Sequence, residues 1–255
     1  VLYILDGSPP CSSFSIAGSR EKALSKKKKF REGQSHQILD DLFFHFIHIA
    51  KKLQPKVVIA ENVKGLIMGN ARGYVKQIFD EFRNAGYETQ LFLLNASRMG
   101  VPQKRERTFF IARKLDLNLP KIKLDFKENL ITLKTAFIDC KKGDVKQLTD
   151  SSIKLWNKCK QGDNFSTVHE KKHRWNWSRE NINDACRTFA STSSDMILHP
   201  LEPRPFTDCE KCRIQTFPDD YDFNGNDAGY ICGMSVPPFM MQRIALQVAK
   251  QIFNV

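Results

Sequence analysis

Apolar residues in the first 114 positions fall into two alternating patterns. Val1 to Leu5 is an unbroken apolar run that stops at Asp6-Gly7-Ser8-Pro9-Pro10-Cys11, and Lys56-Val57-Val58-Ile59-Ala60 is a second run that stops at Glu61-Asn62. Short continuous runs of this kind predict strands buried on both faces, the first a parallel strand ending in a turn. Between them Ile38, Leu39, Leu42, Phe43, Phe46, Ile49, Ala50 and Leu53 recur at helical spacing as far as Pro55, which predicts a helix. Val75, Ile78, Phe79 and Phe82 mark one face of another helix closed by Gly86, while Tyr87 to Leu94 and Thr108 to Ala112 read as two further strands. This β-α-β-α order predicts an α/β fold built on a doubly wound sheet.

Beyond Leu115 the pattern dissolves. From there to about residue 203 the chain is Lys-rich, carries Trp156, Trp175 and Trp177, and has short apolar runs without a clear period. It forms most of a second, smaller and irregular module. Near the end, Met240, Ile244, Val248 and Ile252 make a four-residue stripe after Pro237-Pro238, the mark of a helix with proline in its first turn and a core-facing side. The expected division is therefore a main domain over 1–114, a second domain over 115–229, and a returning helix within 230–255.

Charge alters this picture. The 255 residues carry 40 Lys and Arg against 28 Asp and Glu, a net charge of +12, which points to a polyanionic partner. A basic soluble enzyme is the plainer reading, and net charge does not separate the two. The excess is concentrated in front: Arg20, Lys22, Lys26, Lys27, Lys28, Lys29 and Arg31 face only Glu21 and Glu32, in a stretch without apolar periodicity. Taken alone, that stretch is either a solvated loop or a phosphate-contacting one. No apolar run is long enough to span a bilayer, and no membrane partner is expected. Seven cysteines, an odd number without a signal-peptide pattern, suit a reducing compartment. Cys209 and Cys212 form a CxxC and His169 and His173 an HxxxH, but the pairs lie far apart and in the reverse of the usual finger order. They predict no metal site, and the cysteines read as packing residues.

Candidate chemistry gathers at the predicted strand ends, where open α/β sheets place their sites. Cys11 follows a rigid Pro-Pro turn and precedes the basic loop, a plausible nucleophile if neighbouring cations favour its thiolate. Glu61 ends the next strand. Gln103-Lys104-Arg105-Glu106-Arg107 leads directly into another, and its Arg-x-Arg spacing aims one guanidinium toward the sheet's end.

These segments carry a resemblance. Gly7-Ser8-Pro9-Pro10-Cys11-Ser12-Ser13-Phe14-Ser15, Glu61-Asn62-Val63, Gln103 to Arg107, Arg204-Pro205-Phe206-Thr207 with Arg213-Ile214-Gln215-Thr216-Phe217-Pro218, and Gly233 to Pro238 resemble, in order, five blocks of the C5-cytosine DNA methyltransferases of bacterial and phage type. The resemblance implies a Rossmann-like methyltransferase sheet and identifies the irregular module as the target-recognition domain. It implies transfer of a methyl group from S-adenosylmethionine to C5 of a cytosine flipped out of double-stranded DNA, within restriction-modification or phage self-protection in the cytoplasm. Cys11 is then the nucleophile that adds to C6. Glu61, with a raised pKa, holds N3 and the exocyclic amine, Arg107 lies on the O2 side, and Arg105 braces the loop. Ser15, Lys26, Lys27, Lys28, Lys29 and Arg31 match the family's loop that closes over DNA, and Arg213 is a further DNA contact. Pro10, Leu42 and Ser235 match cofactor-lining positions. Arg174, Arg179 and Arg187 are candidates for guanine edges.

The sequence departs from the family at three points. Ser12 stands where glutamine is common, Met234 replaces an asparagine of the last block, and the glycine-rich Phe-x-Gly-x-Gly cradle with its ribose-binding acid is absent. The expectation is a preceding N-terminal segment, or a complementary subunit, that supplies the cradle. A non-catalytic DNA-binding remnant of the same fold and an RNA cytosine-5 methyltransferase are the alternative readings.

Overall fold

A computed structural model describes residues 2–10, 27–28, 37–38, 41–68, 72–140, 143–174, 176–192 and 194–254. The strands are β1 (Ile4–Gly7), β2 (Lys27–Lys28), β3 (Gln37–Ile38), β4 (Val57–Val63), β5 (Tyr87–Asn95), β6 (Gln103–Lys104), β7 (Glu106–Lys114), β8 (Ser178–Arg179), β9 (Cys186–Arg187) and β10 (Ile197–Leu198). The helices are α1 (Leu42–Leu53), α2 (Arg72–Asn84), α3 (Leu133–Ala136), α4 (Asp150–Lys158), α5 (Asp208–Gln215), α6 (Ala228–Met234) and α7 (Pro238–Val248). The backbone divides into two units: residues 1–94, 106–124 and 247–255, and residues 95–105 and 125–246.

The first unit is built on a four-stranded sheet in the order β1-β4-β7-β5. β1 runs parallel to β4, whereas β7 runs antiparallel to it, so the sheet is mixed. Val57, Val58, Ile59 and Ala60 are all buried, as an unbroken apolar run requires of a strand covered on both faces. Alternation divides them. Val58 and Ala60 join Phe110 and Ala112 against Phe43, Ile47 and Ala50 of α1 and Ile78 and Phe82 of α2. Phe43 meets Phe110 edge to face at 5.3 Å between ring centres, a geometry aromatic quadrupoles favour.

Both helices end where the sequence placed their stops. α1 closes on Gln54 in the left-handed region (φ 50°) just before Pro55, and α2 is followed by Gly86 at φ 91°. The helix start differs, for Ile38 belongs to β3 and α1 begins at Leu42. Tyr87, buried below α1, donates its hydroxyl to the carbonyl of Pro55 at 2.9 Å, and burial pushes the phenol from near 10 to about 12.

The second unit has little regular structure and is held by side chains bonded to backbone. Short parallel pairs join β6 to β9 and β10 to β8. One core gathers Leu133, Cys186, Phe189, Ile197, Phe206, Ile214 and Cys232, and a smaller one Trp156, Cys159, Phe165 and Leu198. α5 opens with a reciprocal capping box, Thr207 accepting from the Glu210 amide and Glu210 from that of Thr207. The same Glu210 carboxylate takes both Nη atoms of Arg204 at 2.8 Å, a bidentate pair. α6 packs so closely that a Cβ on Gly233 would stand 2.3 Å from the Ser191 amide nitrogen.

Two cysteines correct the sequence reading. Cys140, after α3, is disulfide-bonded to Cys209 in the first turn of α5, so the CxxC does not pair within itself. Cys159, Cys186, Cys212 and Cys232 are buried thiols that pack as expected. Among the described residues there is no cluster of metal-ligating side chains, and no helix is long and apolar enough to cross a membrane. The stripe Met240, Ile244 and Val248 of α7 is fully buried, and Ile252 follows it in a π-helical turn.

Two outcomes are expected. Gly233→Ala forces backbone apart at residues 190–191 and costs about 1–3 kcal/mol, lowering the thermal unfolding temperature by several degrees in calorimetry. The Tyr87 phenol titrates higher folded than unfolded, so its contribution is complete below pH 10 and is lost as pH rises from 10 through about 12. Tyr87→Phe flattens that alkaline loss in urea titrations while lowering stability at neutral pH by about 1 kcal/mol through the lost hydrogen bond.

Candidate functional site

Three strand termini converge at one end of the first unit's sheet. Gly7 lies opposite Ala60 in the parallel ladder, so the turn Ser8-Pro9-Pro10 leaves β1 beside Glu61 and Asn62. In the antiparallel ladder Glu61 lies opposite Phe109 and Val63 opposite Arg107, which brings β7 in at the same end. Diagonal neighbours two positions apart share a face of an antiparallel pair and reach each other when their side chains are long. Glu61 and Arg107 meet in this way, with Arg107 Nε 3.0 Å from Glu61 Oε1.

This pair faces away from the side of the sheet that α1 and α2 cover. Its side chains are only 12% and 14% exposed, so each charge depends on the other, and removing one partner costs about 3–5 kcal/mol. Burial lowers the Arg107 pKa against the opposing pull of Glu61, and the guanidinium remains a cation. Arg107 Nη1 also donates to the Glu106 carbonyl at 2.9 Å. The arrangement is a buried carboxylate with a guanidinium fixed beside it, suited to a flat heterocycle with donor and acceptor edges.

Asn62, to which the sequence attached no role, ties the site together. Its Nδ2 donates to the Pro9 carbonyl at 3.1 Å, and its Oδ1 accepts from the Val63 amide at 2.8 Å. Thr108 in turn donates its hydroxyl to the Asn62 carbonyl at 3.0 Å. The strand predicted to stop at Ala60 thus continues through Val63, and the turn leading to Cys11 is pinned one residue from Glu61. Its place inside Glu61-Asn62-Val63 is the one signal that could have marked it.

Several expected site residues lie elsewhere. Cys11, Ser15, Lys26, Lys29 and Arg31 fall outside the described residues, and Lys27 and Lys28 enter only as the backbone of β2. Arg105 belongs to the second unit, wholly buried, where Nη1 donates to the Phe189 carbonyl and Nη2 to that of Gly233, at 3.1 and 2.8 Å. It acts as a brace. Arg213 holds Asp219 through two nitrogens and also donates to the Ile138 carbonyl. Pro10 and Leu42 are half-buried in the first unit. Ser235 caps α6, its hydroxyl donating to the Ile231 carbonyl at 2.7 Å and its carbonyl accepting from Gln215. With the serine engaged in this way, these three residues do not by themselves fit a cofactor the size of S-adenosylmethionine.

A family model for C-5 cytosine-specific DNA methylase matches residues 3–250. The type II methyltransferase M.DdeI of Desulfomicrobium norvegicum is 26% identical over 315 residues, covering 98% of this chain and 73% of its own. M.NgoPII of Neisseria gonorrhoeae is 29% identical over 278 residues, covering 96% and 76%. In fold, the chain is similar to the crystal structure of a DNA modification methyltransferase from an Escherichia coli prophage. The two superpose with a TM-score of 0.74 at 20% identity, over 99% of this chain and 79% of the other. The chain belongs to the C-5 cytosine-specific DNA methylases, enzymes that move a methyl group from S-adenosylmethionine to C5 of cytosine in DNA.

Proposed function

We propose that the Glu61–Arg107 pair receives a cytosine swung out of duplex DNA and that Cys11 attacks it. The observation that carries this reading is the convergence at one sheet end of the pinned Pro9-Pro10 turn, the buried carboxylate and the fixed guanidinium. C5 of an aromatic pyrimidine is a poor nucleophile. Addition of the Cys11 thiolate to C6 forms a C–S bond and moves the ring's electrons toward C5, N3 and O2. Glu61 holds N3 and the exocyclic amine, and a proton shared with N3 moves onto the ring as charge builds there. Arg107 lies on the O2 side and stabilises charge there with a donor that needs no reorganisation. S-adenosylmethionine supplies the methyl group. Loss of the C5 proton, return of the N3 proton to Glu61 and expulsion of Cys11 as thiolate then restore the ring.

Residues 115–229 are the target-recognition domain in this reading, and the basic residues Lys26 to Arg31, with Ser15, contact the phosphates. The cofactor cradle comes from polypeptide outside these 255 residues, either an N-terminal segment or a complementary subunit. The engaged Ser235 hydroxyl supports that, and the chain spans about three quarters of the relatives' length. The activity serves cytoplasmic restriction-modification or phage self-protection.

Mixed with the polypeptide that completes the cofactor site, S-adenosylmethionine and duplex containing 5-fluorocytosine, the protein is expected to form a covalent adduct resistant to denaturation. Cys11→Ala forms none while still binding the duplex. An adduct at the wild-type level in that variant would falsify the nucleophile assignment. Glu61→Gln lowers the methylation rate about 10²- to 10⁴-fold, measured by transfer of labelled methyl groups, because the amide cannot share a proton with N3.

A further inference from the structure

Three arginines of the second unit were candidates for reading DNA, and their surroundings separate them. The Arg179 guanidinium lies on the Trp156 ring at 3.7 Å and donates to the carbonyls of Pro200 and Cys159 at 2.9 and 3.1 Å. Arg187 is held by Glu180 at 2.6 Å, by the Gly162 carbonyl at 2.9 Å and by Asn164. Both bind the unit's own backbone. Arg174 differs. The one side-chain hydrogen bond it makes among the described residues runs from Nη1 to the Ser152 hydroxyl at 2.7 Å, and its guanidinium stands 5.1 Å from the Trp177 ring centre. One edge is anchored, and a fork that stacks on an aromatic ring is presented in a fixed orientation.

Arg174 sits in a loop with a built base. The chain leaves and returns at the Asn164–Ser178 bridge, the Phe165 amide donates to the Trp177 carbonyl at 2.8 Å, and the two rings pack at 5.9 Å. Inside, the His169 and His173 rings stack at 5.6 Å. Lys172 and Arg174 are both held in the left-handed region, at φ 54° and 59°, a cost that non-glycine residues bear where a loop's shape is over-determined. Lys171 and Lys172 are exposed at the tip, neither in an ion pair among the described residues. A shaped loop with two exposed ammonium groups and one oriented guanidinium has the features needed for phosphates and for the O6/N7 edge of guanine.

We propose that the segment from His169 to Arg174 is a DNA-reading element of this methylase, with Lys171 and Lys172 on backbone phosphates and Arg174 on a guanine in the major groove. The proposal rests on the assignment of duplex DNA as substrate. Binding of poly(dA-dT) duplex across a salt series tests the lysines, and selection from a random duplex library, sequenced after capture on the protein, tests the arginine. Lys171→Ala/Lys172→Ala lowers the slope of log affinity against log salt by about 2 and weakens all duplexes alike. Arg174→Ala erases one guanine preference from the selected motif, weakening that site about 5- to 150-fold, and leaves poly(dA-dT) affinity near wild type, since that duplex carries no O6/N7 acceptor pair. Arg174→Lys does not restore the preference, and circular dichroism melts confirm that each variant is folded. An unchanged salt slope in the lysine variant, or an unchanged motif in a folded Arg174→Ala, overturns the proposal. A wild-type protein that binds no duplex overturns the substrate assignment along with it.

Discussion

The register of β4 is the constraint on which the first unit depends. This strand is buried on both faces and paired on both edges, parallel to β1 and antiparallel to β7, so it cannot slip without moving every neighbour. A slip of one residue would turn Val58 and Ala60 away from α1 and α2 and carry Glu61 to the helical side. The same alternation that packs the core therefore aims the carboxylate at Arg107. The pinned turn after β1 and the entry point of β7 follow from the two registers, and the site needs no further device to bring its parts together.

Arginine is used in contrasting ways within a short stretch. Arg105 and Arg107 stand two positions apart, yet the first is buried as a brace for the carbonyls of Phe189 and Gly233, while the second meets a carboxylate across a ladder. Both sites exploit a planar fork that stays charged when buried. Arg179, Arg187, Arg204 and Arg213 extend the pattern, each tied to backbone carbonyls or carboxylates of the second unit. An irregular module lacks long ladders to satisfy its backbone, and guanidinium groups with five donors fill that need. A count of basic residues consequently overstates the charge offered to DNA, since many of these cations are neutralised internally.

Much of the first unit was legible from periodicity, because a strand covered on both faces needs an unbroken apolar run and each helix needs a 3.6-residue stripe. β4, α1 and α2 appeared where those patterns stood, α1 stopping just before Pro55 and α2 just before Gly86, and α7, most of which belongs to the second unit, began at Pro238. The second unit was not legible. Its short strands pair through only two residues each, too few for a period, and the Cys140–Cys209 bond joins positions that no spacing relates.

The sequence by itself determined the α/β class, the strand ends where ionisable residues collect, and the ordered motifs that mark a cytosine-5 methylase, since these depend on local pattern and residue identity. Only the tertiary structure decided which arginine meets Glu61, that Asn62 pins the turn before Cys11, and which arginines of the second unit are bound to its own backbone. Those outcomes depend on strand register and on contacts between residues distant in the chain, and neither is written in any local stretch of sequence.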